Sequence, residues 1–134
     1  MSANAETQAL LERMFAGFNQ HNSDTVVNCM TRDCVFETAA GTEAHGSRFV
    51  GRDAVGAAFE AVWLRLPDVK WDAVLHAISA DGASAVTTWT FKATNPDRSR
   101  VEVEGCDLFT LRDGLVASKR AFRKDRPALP PLGD

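Results

Sequence analysis

Residues 101–112 read VEVEGCDLFTLR and alternate between apolar and polar side chains, as a half-buried strand does. Asp107 shares the apolar face with Val103 and Phe109, unless a bulge at Gly105 exchanges the two faces. A carboxyl group among apolar side chains resists ionising, so Asp107 is expected to hold or move a proton near neutral pH. The alternative is a structural aspartate that is hydrogen-bonded to the backbone at a corner of the sheet.

The surrounding sequence predicts helices first and strands afterwards. Residues 40–51 form a long loop rich in glycine and polar residues, which makes the loop a candidate for function. Helices followed by an antiparallel meander are typical of an α+β fold. Apolar periodicity and turn residues predict helices over 3–21, 23–30 and 52–66, with Ser23 or Asp24 capping the second, and strands over 34–38, 69–80, 84–94, 100–111 and 115–123.

Composition limits the classes of function. The chain of 134 residues is expected to be one domain, 1–134, with a proline-rich C-terminal tail at 126–134. A net charge of −3 at pH 7 with interspersed signs argues against a nucleic-acid partner. The three cysteines have no metal-ligand spacing, so we expect reduced thiols, a cytoplasmic location and no metal site. We also expect no membrane association, because no apolar run is long enough to cross a bilayer.

Five motifs occur in an order that resembles one known group of proteins. The chain is similar to the nuclear transport factor 2-like (NTF2-like) superfamily, in its SnoaL-like and ketosteroid-isomerase-like branch. The resemblance implies a curved, mostly antiparallel sheet that three N-terminal helices wrap into a cone around an apolar pocket, a cystatin-like α+β roll. The motifs are FNQHNSD (18–24), DCVFET (33–38), GRDAVGAAF (51–59), VTTWTF (86–91) and GCDLFTLRDGLV (105–116).

The resemblance also implies a role for Asp107. This residue falls where ketosteroid isomerases place a protonated aspartic acid, and where SnoaL-type cyclases place their acid–base aspartate. Thr38 falls where the isomerases place a general-base aspartate, but a threonine hydroxyl cannot take up a proton at neutral pH. The chain also has no tyrosine to supply the isomerase's phenolic donor. A cyclase-like site built around a single carboxyl is therefore expected.

Two cations on the last strand leave a choice open. The resemblance directs Lys119 and Arg123 into the pocket, where they would keep Asp107 ionised and hold an anionic ligand. The alternative is a solvated basic edge strand.

Further candidates lie in the long loop and among the aromatic residues. His45 is either part of a segment that closes over the pocket or a surface residue. Most aromatic side chains should fill the core, but some, with Trp63 and Phe109 as candidates, are expected to line the cavity. The sequence does not decide whether Trp89 and Phe91 or the threonines beside them face inward.

The sequence therefore predicts a small-molecule pocket protein. If it is an enzyme, Asp107 moves a proton in an isomerisation, cyclisation or dehydration of an apolar carbonyl or hydroxyl compound, without a cofactor. The alternatives are a non-catalytic binding module for a hydrophobic ligand and a dimeric interaction domain. A homodimer is expected in each case, because the outer face of the sheet carries Leu108 and needs cover.

Overall fold

The computed structural model describes residues 2–133, so the ends of the predicted domain and tail, residues 1 and 134, lie outside the described residues. Three helices precede or interrupt the strands as predicted, and the α+β class is confirmed. The elements in chain order are α1 (Ala3–Gln20), α2 (Ser23–Asn28), β1 (Met30–Glu37), β2 (Arg48–Val50), α3 (Arg52–Arg65), β3 (Lys70–Ile78), β4 (Ser84–Thr94), β5 (Arg100–Arg112) and β6 (Leu115–Arg123).

The six strands form one curved, mixed sheet in the order β2-β1-β6-β5-β4-β3. Only the β1–β6 pairing among these strands is parallel, and the remaining neighbours are antiparallel. The long β4–β5 and β5–β6 pairings place β5 near the centre of the sheet, so its inward side chains are covered on every side. The core lies between this inner face and the helices, with Leu11, Met14 and Phe18 of α1 almost fully buried.

Three local expectations differ from the structure. The loop at 40–51 contains the short strand β2, which pairs with β1 through Val35 and Val50, so it is not an unstructured segment. Strand β1 begins at Met30, four residues earlier than predicted, because polar residues mask its alternation. Asn22, rather than Ser23 or Asp24, caps α2, since its side chain accepts a hydrogen bond from the Thr25 backbone N–H at 3.1 Å.

The apolar face of β5 is as the sequence predicts. Asp107 is fully buried and Phe109 is 2% exposed, so the two side chains point into the core together. The register between β4 and β5 runs without interruption from Ser84 to Thr94, and no bulge occurs at Gly105. On the neighbouring strand β4, Trp89 and Phe91 point to the same inner face of the sheet and are buried.

The tail after β6 follows the surface of the sheet. Leu129 makes two backbone hydrogen bonds with Arg100, and the Arg100 side chain donates to the Pro130 carbonyl at 3.0 Å. Within residues 2–133, no helix is both long enough and apolar enough to cross a membrane.

Candidate functional site

A pocket of about 660 Å³ lies between α3 and the inner face of the sheet. This volume suits a small organic molecule, and a mostly apolar lining with few polar groups is typical of ligand sites. The aromatic residues of the lining are Phe36, Phe49, Phe59, Trp71, Trp89 and Phe91, and the polar ones are Thr38, Ser47, Arg65, Lys119 and Arg123. In the part of the chain that the structure describes, the lining therefore contains three cations and no carboxylate.

The pocket owes part of its volume to α3. Ala54, Ala57, Ala58 and Ala61 follow the spacing of one helix face and all line the pocket. Their methyl groups fill little space, so a gap remains between the helix and the aromatic side chains of the sheet. Arg65 lies one turn after Ala61 and ends this alanine stripe. The stripe is visible in the sequence as alanines at positions i, i+3, i+4 and i+7, although no ligand contact was predicted from it.

Asp107 is held by a tryptophan from the neighbouring strand. Trp89 Nε1 donates a hydrogen bond to Asp107 Oδ2 at 2.9 Å. Trp89 pairs with Gly105, which lies on the same face of β5 as Asp107. A methyl group at Gly105 would lie 2.7 Å from the Trp89 ring, so the glycine provides the space through which the indole reaches Asp107.

Lys119 supplies the charge opposite this carboxylate. Its Nζ lies 3.0 Å from Asp107 Oδ1, and the side chain is 3% exposed. The ammonium also lies over the rings of Phe36 at 4.5 Å, Phe18 at 5.2 Å and Phe59 at 5.5 Å from the centroids. Aromatic faces attract cations, so the three rings and the carboxylate together stabilise a charged lysine in the core.

The Lys119–Asp107 contact is an ion pair without hydrogen-bond geometry. Asp107 Oδ1 is buried and accepts no hydrogen bond from any of residues 2–133. No hydrogen bond joins Lys119 Nζ to these residues either, although an ammonium has three protons to donate. Since Lys119 lines the pocket, those protons are available to an acceptor on a ligand.

Asp107 itself does not line the pocket, whereas Lys119 and Trp89, which contact it, do. The neighbours of Asp107 along β5 carry no charge, and from these neighbours alone the carboxyl group is expected to be uncharged. The structure instead contains the contact that the alternative required, with Lys119 reaching Asp107 from β6. Asp107 is thus connected to the pocket through the residues that contact it, Lys119 and Trp89.

The alternative of a solvated basic edge strand is wrong, because β6 lies between β1 and β5 within the sheet. Arg123, at the end of β6, lines the pocket from its solvent side. Arg123 is exposed as a whole. Its guanidinium, however, lies 4.7 Å from the centroid of the Phe91 ring, so the charge is partly desolvated. Burial and the nearby Arg65 lower the pKa of Arg123, while Asp125 has a smaller, opposite effect.

Thr38 is the other predicted residue that the structure brings to the pocket. Its hydroxyl donates to the Ala40 carbonyl at 2.6 Å and accepts from the Ser47 backbone N–H at 2.9 Å. The hydroxyl is therefore engaged in holding the turn between β1 and β2.

Trp63, Phe109 and His45 lie outside the lining of this pocket. The Trp63 ring stacks on the ring of His21, the residue that caps the C-terminus of α1, with 5.2 Å between the ring centroids. Its Nε1 is buried without a partner among the described residues. Phe109 packs edge-on against Phe15 in the core. His45 is half-buried in the loop between β1 and β2. The structure does not bring these three predicted residues to the pocket.

Glu37 is held away from the pocket by two arginines. Arg48 contacts Glu37 at 2.7 Å, and Arg120 Nε donates to it at 3.1 Å. The hydrogen bond from Arg48, with that from Arg120, lowers the pKa of Glu37 although partial burial opposes the shift. Glu37 therefore joins β2, β1 and β6 and offers no base to the pocket.

Comparison with known proteins agrees with this architecture. The sequence model of the SnoaL-like domain family matches residues 11–119. None of the curated proteins matches the sequence. A candidate polyketide cyclase from Xanthomonas campestris pv. campestris superposes with a TM-score of 0.81 at 14% identity, covering 90% of this chain and 92% of that one. Bal32a, from a soil-derived mobile gene cassette, gives 0.80 at 20% identity, with 92% of each chain covered.

A third similar structure is that of SalBIII, an epoxide hydrolase/cyclase-like enzyme with a role in pyran ring formation in the polyether salinomycin. It has a TM-score of 0.75 at 23% identity and covers 90% of this chain and 92% of its own. At these identities the superpositions establish the fold. The family match, with the pocket described above, supports a protein built around a small-molecule pocket.

Proposed function

Since the chain belongs to the SnoaL-like domain family, we propose that it binds a small, largely apolar carbonyl or hydroxyl compound and moves a proton on it without a cofactor. One observation carries the proposal. Lys119 lies on the wall of an apolar pocket with an ammonium that donates no hydrogen bond to residues 2–133 and is charge-balanced by Asp107. A ligand oxygen beside Nζ would complete its hydrogen bonding.

Lys119 is the residue that would touch the reacting atoms. When a proton leaves the carbon next to a carbonyl, the C–H electron pair moves into the carbonyl group and negative charge develops on its oxygen. A preorganised ammonium in an apolar pocket stabilises that charge more strongly than water does. Because no Asp, Glu or His among residues 2–133 lines the pocket, the proposed proton acceptor is water, which later returns a proton to the carbon.

Asp107 is a positioning residue in this scheme. Its carboxylate, fixed by Trp89, holds the ammonium of Lys119 in place at the pocket wall. Replacing Asp107 should therefore lower the rate of proton transfer more than the affinity for an apolar ligand.

The test uses β-tetralone, a bicyclic ketone with acidic α-protons, and follows their exchange for deuterium in heavy water by NMR. We expect the protein to accelerate the exchange, and Lys119→Met and Asp107→Asn to remove most of the acceleration while Asp107→Asn still binds the ketone. Lys92→Met is the matched control, because Lys92 pairs with Asp72 at 3.0 Å on the exposed side of the sheet. Equal exchange rates with and without protein would contradict the proposal.

The second candidate is a binding module that performs no chemistry. Within residues 2–133 no carboxylate or imidazole lines the pocket, which favours this candidate because proton abstraction is faster with a positioned base. Binding of β-tetralone without any acceleration of exchange would select this alternative.

A further inference from the structure

The charges around the pocket are distributed unevenly. Lys119, the buried cation, has a carboxylate 3.0 Å away, so the pair is close to neutral as a unit. Arg65 and Arg123 also line the pocket, but neither forms an ion pair or a side-chain hydrogen bond within residues 2–133. Both are exposed, whereas Lys119 is buried, so the two arginines mark the solvent side of the pocket.

The two arginines are close enough to affect each other. Burial and, after it, Arg65 lower the pKa of Arg123, and the effect of Arg65 follows from repulsion between like charges. By contrast, Arg48 and Arg120 share the carboxylate of Glu37, and Arg112 pairs with Asp33. Asp125 offsets the repulsion between Arg65 and Arg123 only in part, so the two guanidinium groups form a site that an anion would stabilise.

The apolar surface of the pocket leads to this cationic site. The alanine stripe of α3 runs from Ala54 to Ala61 and ends at Arg65 one turn later. On the sheet side, the guanidinium of Arg123 lies over Phe91, which also lines the pocket. A molecule with an apolar body on the alanines and rings would therefore place its end beside two positive charges.

We propose that the natural ligand is an amphiphilic organic anion, whose carboxylate binds Arg65 and Arg123 while its apolar body lies between the alanine stripe and the aromatic rings. This inference rests on the proposed function, because it names the substrate class of the same pocket. The carboxylate would sit at the solvent side and leave the carbonyl or hydroxyl group for Lys119. A carboxylate placed beside Lys119 instead would meet repulsion from Asp107.

The test compares β-naphthoate with its neutral amide, β-naphthamide, by isothermal titration calorimetry. The two probes have the same apolar body, so their difference reports the charge. We expect naphthoate to bind about tenfold more tightly, and Arg65→Met and Arg123→Met each to remove most of that preference without changing the affinity for naphthamide. Arg32→Met is the control, because Arg32 is exposed on β1 and does not line the pocket.

Three outcomes would overturn the inference. They are equal affinity for the two probes, no binding of naphthoate, and an equal loss of naphthoate binding in Arg32→Met, which would indicate a general effect of net charge. The proposed function is tested independently of this inference. Selective naphthoate binding with no acceleration of β-tetralone exchange would support the anion site and reject the chemistry, and the reverse result would reject only the anion site.

Discussion

Lys119 Nζ lies 3.0 Å from Asp107 Oδ1, and both side chains are buried beneath a pocket that only the lysine lines. Burying two charges is costly, and a pair of apolar residues in their place is often at least as stable. The hydrogen bond from Trp89 and the three phenylalanine rings offset part of that cost. The arrangement is thus better explained by the donor it presents to the pocket than by the stability of the fold.

Removing one partner of this pair should cost more than removing both. Asp107→Asn leaves a buried ammonium without a counter-charge and should lower the free energy of unfolding by about 3 kcal/mol, and Lys119→Met should have a similar cost. The double variant Asp107→Asn/Lys119→Met should recover most of the loss. Urea denaturation of the four proteins measures the cycle.

The exposed Lys92–Asp72 pair provides a control for that cycle, because its N–O distance is also 3.0 Å but solvent screens the charges. Lys92→Met and Asp72→Asn should leave the denaturation midpoint unchanged. Strictly additive losses at Lys119 and Asp107 would contradict a coupled pair.

A methyl group at Gly105 should displace Trp89. The added carbon would lie 2.7 Å from the Trp89 ring and 2.4 Å from the Phe122 backbone oxygen, and neither position is tolerated without a shift. We expect Gly105→Ala to destabilise the protein by about 1–3 kcal/mol. Gly56→Ala in α3 is the control, since its methyl meets only Val27 at 3.4 Å and alanine favours a helix. Equal stability of Gly105→Ala and the wild type would show that the indole does not depend on this space.

Glu37 should contribute stability at neutral pH and lose that contribution in acid. Its folded-state pKa lies below the ordinary value of 4.5 because Arg48 and Arg120 stabilise the carboxylate. As the pH falls below that ordinary value, the unfolded state takes up the proton first, so the stabilisation declines until the pH passes the folded-state pKa. The difference in unfolding free energy between the wild type and Glu37→Gln should be constant near neutrality and shrink in acid. A difference that does not change down to about pH 3 would contradict this assignment.

The sequence predicted those features that depend on local periodicity. The helices at α1 and α3, the four long strands and the inward face of β5 with Asp107 follow directly from apolar spacing. The short strand β2 could not be predicted, because three residues are too few for a periodic signal and its hydrogen bonds come from β1.

The site was predicted only in part, for a different reason. Asp107 and Lys119 were identified from the sequence. Which of them faces the pocket depends on the curvature of the sheet and on how far each side chain extends toward the pocket. Trp63 was a candidate for the cavity lining as one of several aromatic residues, but its ring stacks on His21 outside the lining of this pocket. The alanine stripe was detectable by its spacing, and its significance follows from the small volume of its side chains.

The outer face of the sheet should form a homodimer interface. The strand registers place Leu75, Thr88, Cys106 and Phe122 in one row across four strands, and Leu75 is 71% exposed while Phe122 is 45% exposed. Sedimentation at tens of micromolar protein, a rough range for an ordinary interface, should show a dimer. Leu75→Glu and Phe122→Glu should yield monomer, whereas Leu64→Glu, at an exposed position on α3, should not. A wild-type protein that is only monomeric at this concentration would contradict the expectation.

The most direct test of the account observes the three tryptophan indole N–H resonances by heteronuclear NMR while β-tetralone is added. Trp89 and Trp71 line the pocket, and Trp89 also donates to Asp107 beside Lys119, whereas Trp63 lies outside the lining. The account predicts that the Trp89 and Trp71 signals shift with a saturating dependence on ligand while the Trp63 signal stays in place. Three unchanged signals up to the solubility limit of the ketone, or a shift confined to Trp63, would contradict the claim that this pocket is the functional site.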